Sequence, residues 1–288
     1  MKILLFGKTG QLALEIMRHK GDHVIEAYGR DVADFTDGAS CVALVDATNA
    51  DVIINATAYT AVDKAEDDEA TALQVNGTTP GLIAEAAARR GLPFVHVSTD
   101  YVFDGSGEKP FSPDHPTGPL GAYGRTKLAG EEAIKAAGGI YAILRTSWVV
   151  SSHGKNFVKT MLRLGIELDR LTIVADQVGG PTPAAALAEA CIAAADGLLA
   201  DSGKAGVYHV SGAPDVSWAD FAREIFNLAG LSPEVVDIPS SDYPTPAKRP
   251  LNSRMDNTSF ETAFGLRRPS WQRGLQEILT DLDVLKPA

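Results

Sequence analysis

The chain reads as α/β: a doubly wound parallel sheet with helices on both faces and a smaller C-terminal region. Three observations predict this. Apolar runs of strand length recur with helix-compatible segments between them, the first run leads straight into a glycine turn, and the rhythm loosens beyond residue 150. Strand–helix alternation is what a parallel sheet requires, because each crossover must bring the chain back to the same end of the sheet. At 288 residues the chain can bury a large core, as one composite unit or two small domains.

Met1–Phe6 is the first strand, and Gly7-Lys-Thr-Gly10 follows at once. Leu12, Leu14, Ile16 and Met17 then give a pattern that suits a helix packed on a sheet. A strand, a glycine turn and a helix N-terminus together make an anion site, since backbone N–H groups and the helix dipole face a pyrophosphate. Gly7 permits the tight turn, Gly10 lets backbone approach phosphate, and Ala13 fills the third small position of a Rossmann-type dinucleotide fingerprint. A plain turn between strand and helix is the competing reading of this motif alone.

The next strand, His23–Tyr28, ends in Gly29-Arg30 rather than in an acid. An acid near this point would bond the ribose 2′-OH of NAD, whereas an arginine accommodates the 2′-phosphate of NADP. Arg30 thus favours NADPH, with NADH still open; the alternative is a loop arginine paired with Asp31. Asp51–Asn55 and Pro93–Ser98 read as buried strands, with an Ala-rich helix from Pro80 to Arg90 between them. Glu66–Glu69 reads as a solvated helix face.

Tyr123 and Lys127 stand four residues apart and so share one face of the next helix. A lysine cation beside a phenol lowers the phenol's pKa and brings it toward proton transfer near neutral pH. A surface pair that merely stabilises a helix is the alternative. Tyr141–Trp148 follows as a strand. Ligands of such sheets bind beyond the carboxyl ends of the strands, which places Asn55–Ala58, Ser98–Tyr101 and Arg145–Trp148 on one rim facing the glycine turn.

Beyond residue 150, Asn156–Leu164 reads as a helix, Leu171–Val174 as a strand, Gln177–Thr182 as a turn and Ala184–Ala195 as a helix. Tyr208–Ser211 is a strand, and Trp218–Leu228 an amphipathic helix capped by Ser217. Prolines keep Asp242–Pro250 extended. Its Lys248 and Arg249, with Arg254 beyond it, offer charge-assisted bonds to a substrate phosphate, or else form an exposed linker. The expected division is a dinucleotide-binding domain over 1–150, with 177–211 returning to it. The substrate-binding region covers mainly 151–176 and 212–288.

A net charge of −11 argues against a nucleic-acid or anionic-membrane binder. No secretory leader and no spanning segment is read, so a cytoplasmic protein is expected. Cys41 and Cys191 lie in apolar segments as buried thiols. His96 reads as a core residue, and His115 and His153 as loop histidines.

Long motifs now carry a resemblance. They include Phe6–Leu12, Asn55–Glu66, Ser98–Gly105, Tyr123–Glu131, Arg145–Trp148, Asn156–Met161, Asp176–Thr182 and Tyr243–Arg254. With these the chain resembles the extended short-chain dehydrogenase/reductases and, within them, the dTDP-4-dehydrorhamnose reductase branch, nearly end to end. The resemblance implies reduction of the C4 ketone of a nucleotide sugar by NAD(P)H. Tyr123 would be the proton donor, Lys127 would hold the nicotinamide ribose, and Thr99 would bond the developing alkoxide.

Gly10, Gln11 and Leu12 would contact the pyrophosphate through backbone, Arg30 the adenosine ribose, and Asp34 and Phe35 the adenine. Ala56, Thr57 and Ala58 would face the cofactor across the sheet, and Asp100 and Trp148 the substrate; for Trp148, a core position behind a strand is the alternative. Members of this branch can form homodimers around magnesium held partly by glutamates. Glu15 matches one such position, but Ala185 stands where another acid is needed, so no metal is expected here. Two other classes stay open: an NADP-binding regulatory subunit like that of some methionine adenosyltransferases, and a nucleotide-sugar epimerase or dehydratase with bound NAD. Against a dehydratase, Thr99-Asp100-Tyr101 offers one carboxylate and then a phenol where an acidic pair would stand.

Overall fold

The computed structural model describes residues 1–285; the last three residues of the expected substrate-binding region lie outside the described residues. The first half runs β1 (Lys2–Phe6), α1 (Gln11–Arg18), β2 (Val24–Tyr28), α2 (Gly38–Ala47), β3 (Val52–Asn55), α3 (Val62–Ala65), α4 (Glu69–Leu73), α5 (Thr79–Arg90), β4 (Phe94–Thr99), α6 (Ala122–Ala136) and β5 (Tyr141–Thr146). A single π-helical turn, Gln74–Thr78, joins α4 to α5.

The second half runs β6 (Val149–Val150), α7 (Phe157–Glu167), β7 (Arg170–Val174), β8 (Val178–Gly179), β9 (Thr182–Pro183), α8 (Ala184–Ala200), β10 (Gly206–His209), β11 (Val216–Ser217), α9 (Trp218–Ala229), β12 (Glu234–Ile238), β13 (Asn252–Ser253), α10 (Thr258–Phe264) and α11 (Trp271–Asp281).

Six strands form the main sheet in the order β10-β5-β4-β3-β1-β2, every pair parallel. Strand side chains alternate between faces. Ile3 and Leu5 therefore pack with the α1 and α8 residues Ile16, Leu187 and Ala194, while Leu4 and Phe6 pack with Cys41, Ile83 and Ile134 of α2, α5 and α6. A fully covered parallel sheet explains why its strands read as continuous apolar runs. Cys41 and Cys191 are buried on opposite faces, and burial pushes their thiols up to about 11 and about 12.

The C-terminal elements build a separate core around Val158, Met161, Ile173, Phe221, Ile225 and Leu275. Ser217 caps α9 as expected, its hydroxyl accepting from Asp220 N at 3.0 Å. The expected turn over Gln177–Thr182 instead contains β8, paired with β11 and β13, and part of β9, paired with β6. These two-residue pairings join segments far apart in sequence, so no local periodicity announces them.

The acidic run Glu66–Glu69 is also not a helix face. It spans the break between α3 and α4, and three of its carboxylates tie this break to other elements. Glu66 accepts the Ala122 N–H at the start of α6 at 2.8 Å, Asp68 accepts the Tyr59 hydroxyl, and Glu69 pairs with Arg125 at 2.8 Å. Among the described residues no helix is long and apolar enough to cross a membrane.

Candidate active site

Parallel register brings the carboxyl ends of β1, β3, β4 and β5 to one edge: Phe6 lies opposite Asn55, Asn55 opposite His96, and Thr99 opposite Thr146. The chain reverses direction across the sheet between β1 and β3, which is where crevices form in such folds. Gly7 has φ +109°, a conformation that L side chains rarely adopt, and Ala56 and Thr57 lie against it. Space in front of Gly10 is open, and α1 begins with no side-chain cap and no acid in its first turn. Unpaired N–H groups facing open space suit a pyrophosphate, so a dinucleotide fits this cradle.

Leu12 is buried against the sheet. The Gln11 side chain turns away and accepts from Ser151 and Asn156, both at 2.8 Å, so it fastens the cradle to the C-terminal region. At the end of β2, Arg30 is exposed and pairs with Asp34 at 3.3 Å rather than with Asp31. The hydroxyl and backbone N–H of Thr36 bond Asp34 and hold its carboxyl below the usual range. The Phe35 ring packs edge-on against Phe6 in the core, 5.6 Å between centroids, which leaves its backbone for any outside contact.

Tyr123 and Lys127 share the inner face of α6, but their polar ends meet different partners. The half-buried phenol lies near Thr99, and its ring meets Tyr101 edge-on at 5.4 Å. Lys127 is buried, donating to the Val97 carbonyl at 2.7 Å and lying 3.1 Å from His96 Nε2. Burial, joined by the charges of Asp100 and Tyr101, pushes the phenol's pKa up, and Thr99 opposes this only in part. The expectation that Lys127 lowers the phenol's pKa therefore fails here, because burial pulls the amine itself down to about 8 and it faces β4. A raised pKa keeps the phenol protonated, as a proton donor must be.

Gly124 explains how α6 comes so close. A Cβ there would overlap the Tyr101 carbonyl oxygen, so only glycine lets the helix lie on the Thr99–Tyr101 turn. Gly124→Ala is expected to cost roughly 1–3 kcal/mol by overpacking. It should also lower kcat by displacing Tyr123 from Thr99; urea unfolding and turnover of the same preparation check both.

Asp100 is buried beside Thr99, whose hydroxyl donates to Oδ1 at 3.0 Å. Burial raises its carboxyl to about 6 against the pull of Ser253 and Thr99. Trp148 is not a core residue behind a strand: β5 ends at Thr146, and Trp148 takes φ +49° to lay its indole on Trp218 at 3.6 Å. A non-glycine residue held in that region is stored strain, and such residues cluster at ligand sites. Arg249 reaches Asp63 at 2.7 Å and Tyr101 Oη at 3.4 Å, and Asp63 also accepts the Ala247 N–H. The proline-rich segment is thereby held over the site as a strap, while Lys248 is exposed and Arg254 bonds Asn252.

Two residues placed on the rim by sequence do not face it. Arg145 forms a buried fork with Glu131 (2.7 and 2.9 Å), and Ser98 donates to the same carboxylate at 2.5 Å. Nothing local in the sequence marks Trp218 and Asp63 as site residues, since each acts through a partner remote in sequence. His153 lies in a loop as expected, and its Nε2 is 3.1 Å from the buried Glu15 carboxylate, which His19 flanks on the other side. His115 packs edge-on against Phe111. Among the described residues no group of three or more histidines, cysteines or acids is placed to hold a metal.

A family model described as "RmlD substrate binding domain" matches residues 1–284. The chain is 41% identical over 286 residues to a dTDP-4-dehydrorhamnose reductase of Sinorhizobium fredii, covering 97% of each. It superposes with TM-score 0.92 and 36% identity on a dTDP-4-dehydrorhamnose reductase from Clostridium acetobutylicum, covering 98% of this chain and 100% of that one. A third relative, the Bacillus anthracis dTDP-4-dehydrorhamnose reductase solved in complex with NADP, superposes with TM-score 0.91 and 32% identity, over 97% of this chain and 99% of that one.

Proposed function

This chain belongs to the RmlD substrate binding domain family, and from that premise we propose that it reduces the C4 ketone of dTDP-4-dehydro-L-rhamnose, with Tyr123 as proton donor. The observation that carries the reading is the half-buried phenol, kept protonated near Thr99 at the carboxyl end of β4, on the same edge as the Gly7 cradle. A reduced nicotinamide cofactor bound at that cradle supplies the hydride. The NADP bound to the Bacillus anthracis relative supports the same preference as Arg30.

The protein's own part is to place a proton and two polar groups around one oxygen. As charge develops on O4, Tyr123 Oη gives up its proton and the Thr99 hydroxyl turns from Asp100 Oδ1 to donate to the same oxygen. Donors arranged before the reaction stabilise the transition state more than the ketone. Lys127 sits one turn beyond Tyr123 and steadies the cofactor's ribose side. Trp148, braced by Trp218, closes the site opposite, and Asp100 contacts the sugar.

Arg249 is the charged group of the strap and takes the diphosphate end. A charge-assisted bond contributes about 1.5–3 kcal/mol. Arg249→Met is accordingly expected to raise KM for the nucleotide sugar by roughly 10- to 100-fold, with KM for NADPH nearly unchanged. Equal changes in both would count against a substrate role.

The whole reading is tested by cofactor oxidation with enzymatically generated dTDP-4-dehydro-L-rhamnose, using NADPH and NADH separately. Prompt oxidation, faster with NADPH, is expected. NADP(H) binding without any oxidation would instead favour a regulatory binding subunit.

A further inference from the structure

Asn55, His96 and Lys127 form a chain of side chains from the β3 turn to the amine, and one end has a fixed polarity. The Thr57 backbone N–H can only donate, and it donates to Asn55 Oδ1 at 2.9 Å. Asn55 therefore presents its Nδ2 donor to His96 Nδ1, at 3.0 Å. A neutral imidazole that accepts at Nδ1 carries its proton on Nε2. That nitrogen lies 3.1 Å from Lys127 Nζ.

An ammonium has three donors and no acceptor, so it would set N–H against N–H; an amine has a lone pair and accepts. The amine can still donate to the Val97 carbonyl as observed. His96 is fully buried and Lys127 only 1% exposed, so bulk solvent does not relieve a mismatch of donors.

We infer that Asn55 and His96 turn an N–H toward Lys127 and so favour its neutral amine in the ligand-free protein, which makes His96 a positioning residue that governs how readily the active-site lysine gives up its charge. Burial acts in the same direction on Lys127, and it keeps the imidazole neutral. The opposing charge is Glu131, one turn along α6, but that carboxylate is committed to Arg145 and Ser98. Where the amine is neutral, Lys127 must take up a proton before it acts as a cation. Its part in the reaction rests on the proposed reductase function; its protonation state does not.

NMR of the whole ligand-free chain tests the inference without substrate. With 15N-labelled histidine, His96 is expected as the Nε2–H tautomer; an Nδ1–H tautomer or an imidazolium at neutral pH would overturn it. Asn55→Asp offers an acceptor to Nδ1, so His96 should switch to Nδ1–H in that variant. Persistence of Nε2–H there would show that Asn55 does not set the polarity.

The Lys127 side-chain carbon signal, assigned with Lys127→Arg, is expected to titrate near about 8 in the wild type. In His96→Gln, which offers the amine an acceptor, it should titrate about one pH unit or more higher. Titration of the wild type near the ordinary lysine value of ~10.4 would sink the inference even if the glutamine variant fails to fold. No readout uses a nucleotide sugar, so failure of the reductase reading would leave these results standing.

Discussion

Tyr123→Phe is expected to lower kcat by about 100- to 10,000-fold, the usual contribution of a positioned general acid, while KM for NADPH stays nearly unchanged. Steady-state oxidation with the natural substrate measures both. The variant keeps the ring against Tyr101 and removes only the hydroxyl near Thr99, so packing is preserved and proton donation is lost. The pH profile gives an independent check. Because the phenol's pKa is raised, its own ionisation limits the rate only above the ordinary phenol value of ~10. Between neutral pH and that limit, kcat/KM should fall as pH rises through about 8, where Lys127 loses its proton. A falling limb that disappears in Lys127→Met, and stays in Tyr123→Phe, would match this assignment.

Glu131→Gln is expected to cost about 3–5 kcal/mol of stability, because it leaves the Arg145 guanidinium charged and uncompensated inside the protein. Both partners are buried: Arg145 is 2% exposed and Glu131 is fully covered. The guanidinium also donates to the Pro113 carbonyl at 3.1 Å and lies over the Phe103 ring at 5.0 Å, so it has no route to water. Urea unfolding should show a lowered midpoint with an unchanged slope. The double variant Glu131→Leu with Arg145→Met should recover more than half of the loss, since two apolar groups of similar volume can replace a buried pair. If the single variant is as stable as the wild type, the pair is not what anchors α6 to β4 and β5.

What was legible in the sequence follows from the range over which each signal acts. β1, β3, β4 and β5 are buried on both faces, so each leaves a contiguous apolar run, and the glycine turn lies directly beside the first of them. Tyr123 and Lys127 were visible because helical spacing is local, but the partners that set their protonation were not. Lys127 meets Val97 and His96 on a strand 30 and 31 residues earlier, and Arg249 meets Asp63 across 186 residues. Polar strand ends carry no mark of the side they face. Arg145 and Ser98 read like rim residues, and Glu131 turns both inward. Prolines mark the strap as extended, whereas its anchoring depends on a carboxylate in α3. The two-residue strands β6, β8, β9, β11 and β13 are too short for any period to show.

Hydride transfer to C4 of the sugar is the central claim, and isotope transfer tests it most directly. NADPH deuterated at the transferable position of the nicotinamide is mixed with dTDP-4-dehydro-L-rhamnose and the purified chain, and the product is analysed by NMR. The account predicts dTDP-L-rhamnose with deuterium bound to C4, formed in equal amount to NADP+, and no such product with Tyr123→Phe on the same timescale. Product that lacks deuterium at C4, or substrate recovered unreduced with the cofactor still bound, would contradict it.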